Sequence, residues 1–186
     1  MVSEAFNGNL DILIANAGYL ESWKPLAESD PVDWWKTWEV NIKGTYLTCR
    51  AFLPLLLQSK LKTAVLVSSV GAHKCNDGAS SYQTTKFATC RLTEFLDSEY
   101  SSRGLLAFAI HPGGVKTELA SNMPEALHSF LIDEPDLPAD TLLWLTKERR
   151  EWLAGRFVSC NWDMERLEKK QEDVVSRNLF KFVMKA

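Results

Sequence analysis

Tyr82 and Lys86 are the two residues whose types and spacing most directly suggest chemistry. They lie four apart in a stretch whose apolar spacing predicts a helix from Tyr82 to about residue 102, so they share one face with Cβ atoms about 5–6 Å apart. A free phenol titrates near pH ~10 and a free amine near ~10.4, and neither exchanges protons readily at neutral pH. A fixed cation beside a phenol favours its ionised form, so Lys86 is expected to lower the Tyr82 pKa and make it a general acid or base. Ser69 ends the β-branched run Ala64-Val65-Leu66-Val67, which reads as a buried strand. From there its hydroxyl would hold an oxygen that Tyr82 protonates or deprotonates. Taken alone, a Tyr-x-x-x-Lys pair is weak and fits a plain helix surface equally well.

Further elements must position these side chains. Leu10 to Ile14 reads as a buried parallel strand and Ala15-Asn16-Ala17-Gly18 as its exit turn. Tyr19 to Glu28 follows as a loop at a pocket mouth. Asp30-Pro31 is a helix start by chemistry, an acceptor side chain followed by a proline whose missing N–H costs nothing in the first turn. The helix is expected to run to about Gln58, with Trp34, Trp35, Trp38 and Ile42 at helical spacing and Asn41 among them. Ala88, Leu92, Phe95 and Leu96 predict the buried stripe of the next helix, and Gly104 suits its C-cap. Leu105 to Ile110 is a third strand, ended by Pro112-Gly113-Gly114. Glu118 to Pro138 is apolar between prolines, reading either as a cover over an organic substrate or as a helix packed on the core. Asp140 to Thr146 predicts a helix and Gly155 to Cys160 a last strand. Residues 161–186 form a charged, helical C-terminal tail.

With Ser69, Tyr82 and Lys86 stand Asn16-Ala17-Gly18 after the first strand, Val40-Asn41-Ile42-Lys43-Gly44, and Pro112-Gly113-Gly114-Val115-Lys116-Thr117 after the third. In this order they resemble the short-chain dehydrogenase/reductase family over essentially all of the chain to about residue 160. The resemblance implies an α/β fold with a doubly wound parallel sheet of Rossmann type, and hydride transfer between NAD(P) and an alcohol or carbonyl. It implies roles for Tyr82 as proton donor or acceptor, Lys86 as cation and ribose ligand, Ser69 as oxygen holder and Asn41 as proton relay. Asn16, Val115 and Thr117 would touch the cofactor together with Tyr82 and Lys86, and Arg50 would either reach the cofactor edge or stay solvated. The tail resembles those of fungal members associated with secondary metabolism, from which NADP is implied and NAD stays open. A hydrophobic small-molecule carbonyl or alcohol as substrate and a homo-oligomer follow in the same way.

One departure counts as much as the match. Family members open with a glycine-rich turn that cradles the cofactor's pyrophosphate, and none of the 9 glycines here forms that fingerprint. Met1 falls just before the family's fourth strand, so the expectation is a single domain over residues 1–186 lacking the first βαβ nucleotide-binding half. A non-catalytic remnant acting only through subunit contacts is the competing expectation. With the first three strands absent, the strand from Leu10 becomes an exposed apolar sheet edge.

Composition narrows the classes further. Hydrophobic residues make up 46% of the 186 and charged residues 24%, with net charge −3, ordinary for a globular protein and without a basic nucleic-acid footprint. The longest apolar run, Ala51 to Leu57, is too short to span a bilayer, and residues 1 to 9 have no signal-peptide pattern. Cys49, Cys75, Cys90 and Cys160 lack C-x-x-C spacing, which fits a reducing, cytoplasmic compartment. The 3 histidines have no metal-ligand spacing, so no metal site is expected.

Overall fold

The computed structural model describes residues 2–184, so the last two residues of the expected tail, Lys185 and Ala186, lie outside the described residues. A short helix α1 (Val2–Ala5) precedes strand β1 (Ile12–Ala15). Then come α2 (Pro31–Trp38), a π-helical stretch Glu39–Gly44 and α3 (Thr45–Leu56), in effect one long helix with a widened middle. Asp30 caps it as its chemistry requires, its carboxylate accepting the Val32 N–H at 2.8 Å. Strand β2 (Thr63–Val67) leads to α4 (Ser80–Tyr100), β3 (Leu106–His111), α5 (Glu118–Ser121), α6 (Asp136–Lys147) and β4 (Arg156–Ser159). Two short helices, α7 (Met164–Glu168) and α8 (Gln171–Ser176), follow. Gly104 sits at φ +84° just past the end of the α4 region, the left-handed geometry of a C-capping glycine.

The four strands are all parallel, in the order β1-β2-β3-β4. Alternate residues face opposite sides. Leu13, Ala64, Leu66 and Ala107 pack on Cys49 and Leu56 of α3 and Leu96 of α4. Val65, Phe108, Ile110 and Val158 pack on Leu145 of α6, Leu167 of α7 and Val174 of α8. Helices therefore cover both faces, as a doubly wound sheet requires, and the C-terminal helices contribute to the core rather than trailing from it. The first two crossovers use helices on one face and the third uses α6 on the other, while the strands keep advancing one way. The third crossover thus has the opposite hand to the first two, a departure from the strong right-handed rule.

Two expectations need correction. Phe95 of α4 is 55% exposed rather than buried. The face of α4 turned inward carries Thr85, Thr89 and Thr93, whose hydroxyls donate to the carbonyls of Tyr82, Thr85 and Thr89, together with Ser81, Lys86 and Cys90. A polar face that satisfies its own hydrogen bonds buries without an apolar stripe. The segment after the third strand is likewise no core helix: it forms α5 and a 3-10 stretch Glu125–Phe130, with Phe130 and Ile132 on the surface.

Candidate active site

The site lies at the carboxyl ends of β1 to β3. Leaving β2, Ser68 donates its hydroxyl to the Lys86 carbonyl at 2.7 Å, which ties strand to helix. Ser69 then accepts the Gly71 N–H at 3.0 Å and opens a 3-10 turn, Val70–His73. Its hydroxyl also acts on the Tyr82 phenol, favouring the ionised form. Tyr82 and Lys86 sit one turn apart on α4, with the Lys86 Nζ 5.4 Å from the Tyr82 ring centre.

Electrostatics here run against the sequence expectation. Burial pushes the Tyr82 phenol up to about 12, a shift the Ser69 hydroxyl opposes and the Glu21 charge increases. Lys86 does not lower it in this arrangement. Lys86 is itself only 4% exposed, its ammonium is brought down to about 8 by burial, and it points to the Val67 carbonyl at 2.9 Å. Among the described residues the strongest feature of the pair is thus a neutral phenol beside a buried amine.

Asn41 lies in the π-helical stretch and is 2% exposed. Its side chain accepts the Tyr19 N–H at 2.7 Å and donates to the Tyr19 carbonyl at 2.9 Å and the Thr85 hydroxyl at 3.0 Å. It fastens the loop after β1 to α4, and π turns often mark such sites. Gly18 closes the cluster: a Cβ there would stand 3.7 Å from both the Asn41 Oδ1 and the Lys86 Nζ, and 3.4 Å from Leu119 of α5. Ser69, Tyr82, Lys86, Asn41 and the Asn16-Ala17-Gly18 turn are therefore gathered in one place, with α5 beside them.

The remaining sequence-expected residues divide. Thr117 is at the entrance of α5 and uses its hydroxyl to accept the Ala120 N–H at 3.1 Å. Val115 forms an isolated parallel bridge with Asp133, whose carboxylate takes the Gly114 N–H at 2.6 Å. The structure does not bring Arg50 to the cluster. It lines a groove between α3 and the far half of α4 with Phe95 and Glu99, about 20 Å along α4 from Tyr82 at a rise of about 1.5 Å per residue. Sequence reading also passed over Glu21, which is buried against the start of α4. The structure explains its place: helix α4 opens after Ala79, a residue with no side-chain acceptor to cap it.

No cluster of potential metal ligands occurs among the described residues. A nicotinamide cofactor fits in part. The Lys86 ammonium has three N–H groups and one goes to Val67, leaving donors for ribose hydroxyls beside Gly18, whose missing side chain keeps the approach to the Lys86 Nζ narrow but unfilled. The exit turn of β1 carries a single glycine, Gly18, so the phosphate cradle of a dinucleotide site is not among these residues.

A parallel sheet with helices on both faces and a Ser-Tyr-Lys-Asn cluster at its carboxyl edge is the framework of Rossmann-type dehydrogenases. The chain belongs to the short-chain dehydrogenase family, whose family model matches residues 1–128. It is 56% identical to the short chain dehydrogenase mpl6 of Monascus purpureus over 97% of this chain and 61% of that protein. It is 45% identical to the short chain dehydrogenase andI of Emericella variicolor over 96% of this chain and 61% of that protein. The chain thus spans about three-fifths of the length of these relatives. A solved short chain dehydrogenase from Escherichia coli CFT073, complexed with NADPH, superposes with a TM-score of 0.70 at 28% identity over 87% of this chain and 68% of the other.

Proposed function

We propose that the protein is an NAD(P)-dependent oxidoreductase that reduces or oxidises a carbonyl/alcohol pair on a hydrophobic small molecule, as part of fungal secondary metabolism. The observation that carries this reading is the convergence of Ser69, Tyr82, Lys86 and Asn41 at the carboxyl edge of the sheet. Bound nicotinamide would supply or accept the hydride. Ser69 holds the substrate oxygen, and Tyr82 gives that oxygen its proton in reduction, for which its neutral phenol is suited. Lys86 binds ribose hydroxyls and stands by to resupply the proton, and Asn41 keeps the relay in register. Asn16, Val115 and Thr117 border the nicotinamide end. NADP is favoured by the NADPH bound to the E. coli relative. Exposed Phe130 and Ile132, in the segment next to α5, support an apolar substrate. Exposed Tyr46, Leu47 and Phe95 on α3 and α4 support a homo-oligomer through those helices. No helix among the described residues is long and apolar enough to cross a membrane, and the four cysteines are unpaired; a cytoplasmic site is part of the reading.

The test combines calorimetry with NADPH and NADH and turnover of a panel of apolar ketones and aldehydes. Tyr82→Phe is expected to keep the fold and cofactor binding and to lose at least about a hundredfold in kcat, the usual scale of an acid–base group. Turnover that survives this change overturns the mechanism. A second reading, a non-catalytic chain working through subunit contacts, draws on the open outer edge of β1, where Ile14 is 45% exposed. A folded chain that binds neither cofactor would favour it.

A further inference from the structure

The first turn of α4 has no cap of its own. Its N-cap residue is Ala79, and the first N–H groups of any helix lack intrahelical partners. Ser80 could offer a local acceptor, but its hydroxyl accepts the Trp34 indole N–H at 3.0 Å, and Ser81 donates its own to the Trp34 carbonyl at 2.7 Å. The two orphan amides are taken by a residue 60 and 61 positions upstream. One carboxylate oxygen of Glu21, Oε1, accepts the Ser81 N–H at 3.1 Å and the Tyr82 N–H at 3.0 Å. The other, Oε2, accepts the Thr37 hydroxyl of α2 at 3.3 Å.

Glu21 is 3% exposed. A carboxylate is costly to bury unless it is paired and hydrogen-bonded. At the positive end of a 21-residue helix, with two amides and a hydroxyl aimed at it, that cost is offset. A local Ser or Asp at position 79 would cap the helix with no such expense. What the remote carboxylate adds is a fixed relation between the loop after β1, α2 and the turn of α4 that carries Tyr82.

We propose that Glu21 is a positioning residue for Tyr82: by capping the active-site helix through the amides of Ser81 and Tyr82, it holds the phenol in place against Ser69. The inference rests on the reading of Tyr82 as the proton carrier. Ser69 from the end of β2 and Lys86 from its own helix stand by that phenol, while the Glu21 carboxylate sits at the backbone N–H of the same residue and acts on the phenol through its charge. Lys86 is turned to the Val67 carbonyl, so the nearby negative charge of Glu21 acts against a phenolate. Burial is the main reason the phenol stays neutral, and the charge of Glu21 adds to it, so Glu21 favours proton donation as well as holding the position of Tyr82.

The test uses the 186-residue chain and two variants. Glu21→Gln keeps an acceptor oxygen but loses the charge; Glu21→Ala loses both. Amide hydrogen exchange by NMR reads the cap, with the Thr93 amide in the same helix as internal reference. Tyr82 ionisation is read from tyrosinate absorbance after rapid jumps to alkaline pH, with the Tyr82→Phe chain subtracted. In Glu21→Ala, exchange at Ser81 and Tyr82 is expected to quicken about tenfold or more relative to Thr93. In Glu21→Gln those amides stay protected while the Tyr82 ionisation constant rises about twofold or more. An unchanged Tyr82 ionisation in Glu21→Gln overturns the proposal, and so do fully protected amides in Glu21→Ala. Should the alanine chain not fold, the glutamine variant decides alone. Neither readout uses turnover. A chain that binds no cofactor therefore sinks the dehydrogenase reading without touching this one, whereas turnover that depends on Tyr82 while its ionisation ignores Glu21 sinks this one alone. With turnover in hand, the alkaline limb of the reduction profile moves to lower pH in Glu21→Gln, because the neutral phenol is then lost sooner.

Discussion

The two edges of the sheet are finished in opposite ways. Along β4 the C-terminal chain lies against the strand: the Phe157 N–H donates to the Phe180 carbonyl at 3.0 Å. The buried Arg156 donates to Asn178 Oδ1 at 2.9 Å and to the carbonyls of Leu179 at 2.8 Å and Trp152 at 3.0 Å. Beyond it Phe182 stacks on His73 at 4.6 Å and meets Phe87 edge-on at 4.5 Å. Along β1, no strand among the described residues pairs with the outer side, and Ile14 stands 45% exposed on the face that α6 to α8 leave bare there. A charged or covered edge resists further pairing, while an apolar, open one is a template for another parallel strand. The difference separates the two edges: one is covered by the chain's own C-terminal segment, and the other, next to Asn16 and Gly18, leaves its outer backbone without a strand partner among the described residues.

That contrast can be broken from several directions. Acid should have the largest effect, and on the covered side. Burial holds the His111 imidazole, at the end of β3 beside β4, down to about 4, and lowers that of His73 as well. Below the ordinary histidine range the unfolded chain takes up protons that the folded chain refuses. Stability is therefore full above about pH 6.5 and falls as pH drops toward 4, by about 3 kcal/mol for His111 at about 1.4 kcal/mol per pKa unit; urea titrations across that range measure it. Arg156→Ala should cost about 2–3 kcal/mol, since it removes a buried guanidinium together with its hydrogen bonds to Asn178, Leu179 and Trp152, and thermal melting will show whether the β4 edge is as integral as its bonds suggest. Phe182→Ala should cost about 1–2 kcal/mol by removing two ring contacts and should make the segment after Asn178 sensitive to limited proteolysis. Smallest in stability, within about 0.5 kcal/mol, is Ile14→Lys on the open edge. Its effect should appear in light scattering instead, as reduced self-association of the chain. Association unchanged by that lysine would mean the β1 edge is not the sticky one.

Much of the frame was legible in the sequence, because it is written in patterns that survive without tertiary context. Short apolar runs placed all four strands within a residue or two, and Asp30-Pro31 marked the start of α2. The Ser69, Tyr82, Lys86 and Asn41 cluster was legible from type and order. Less legible was anything decided by what lies across space. The inward face of α4 hides as polar, since Thr85, Thr89 and Thr93 satisfy themselves along the helix. Arg50 looked close to Asn41 along the chain, yet helix geometry carries it away toward Phe95 and Glu99. The raised phenol of Tyr82 could not follow from its distance to Lys86, because burial outweighs that neighbour. Glu21 carries no local motif at all; its partners are 60 and 61 residues off.

The π-helical stretch Glu39–Gly44 has a genetic consequence. A π turn is an α-helix with one residue too many, kept because the surplus is what aims Asn41 at Tyr19 and Thr85. The bulge takes up its surplus residue locally, so the α-helical turns on either side keep their register. An in-frame loss of a single codon between 39 and 44 would therefore relax the helix into its more comfortable form, with α2 and α3 still in place, while removing the bulge that aims Asn41 at Tyr19 and Thr85. Such a deletion would keep the helix, keep every other residue, and still dismantle the site, so this short stretch should tolerate changes of letter far better than changes of length.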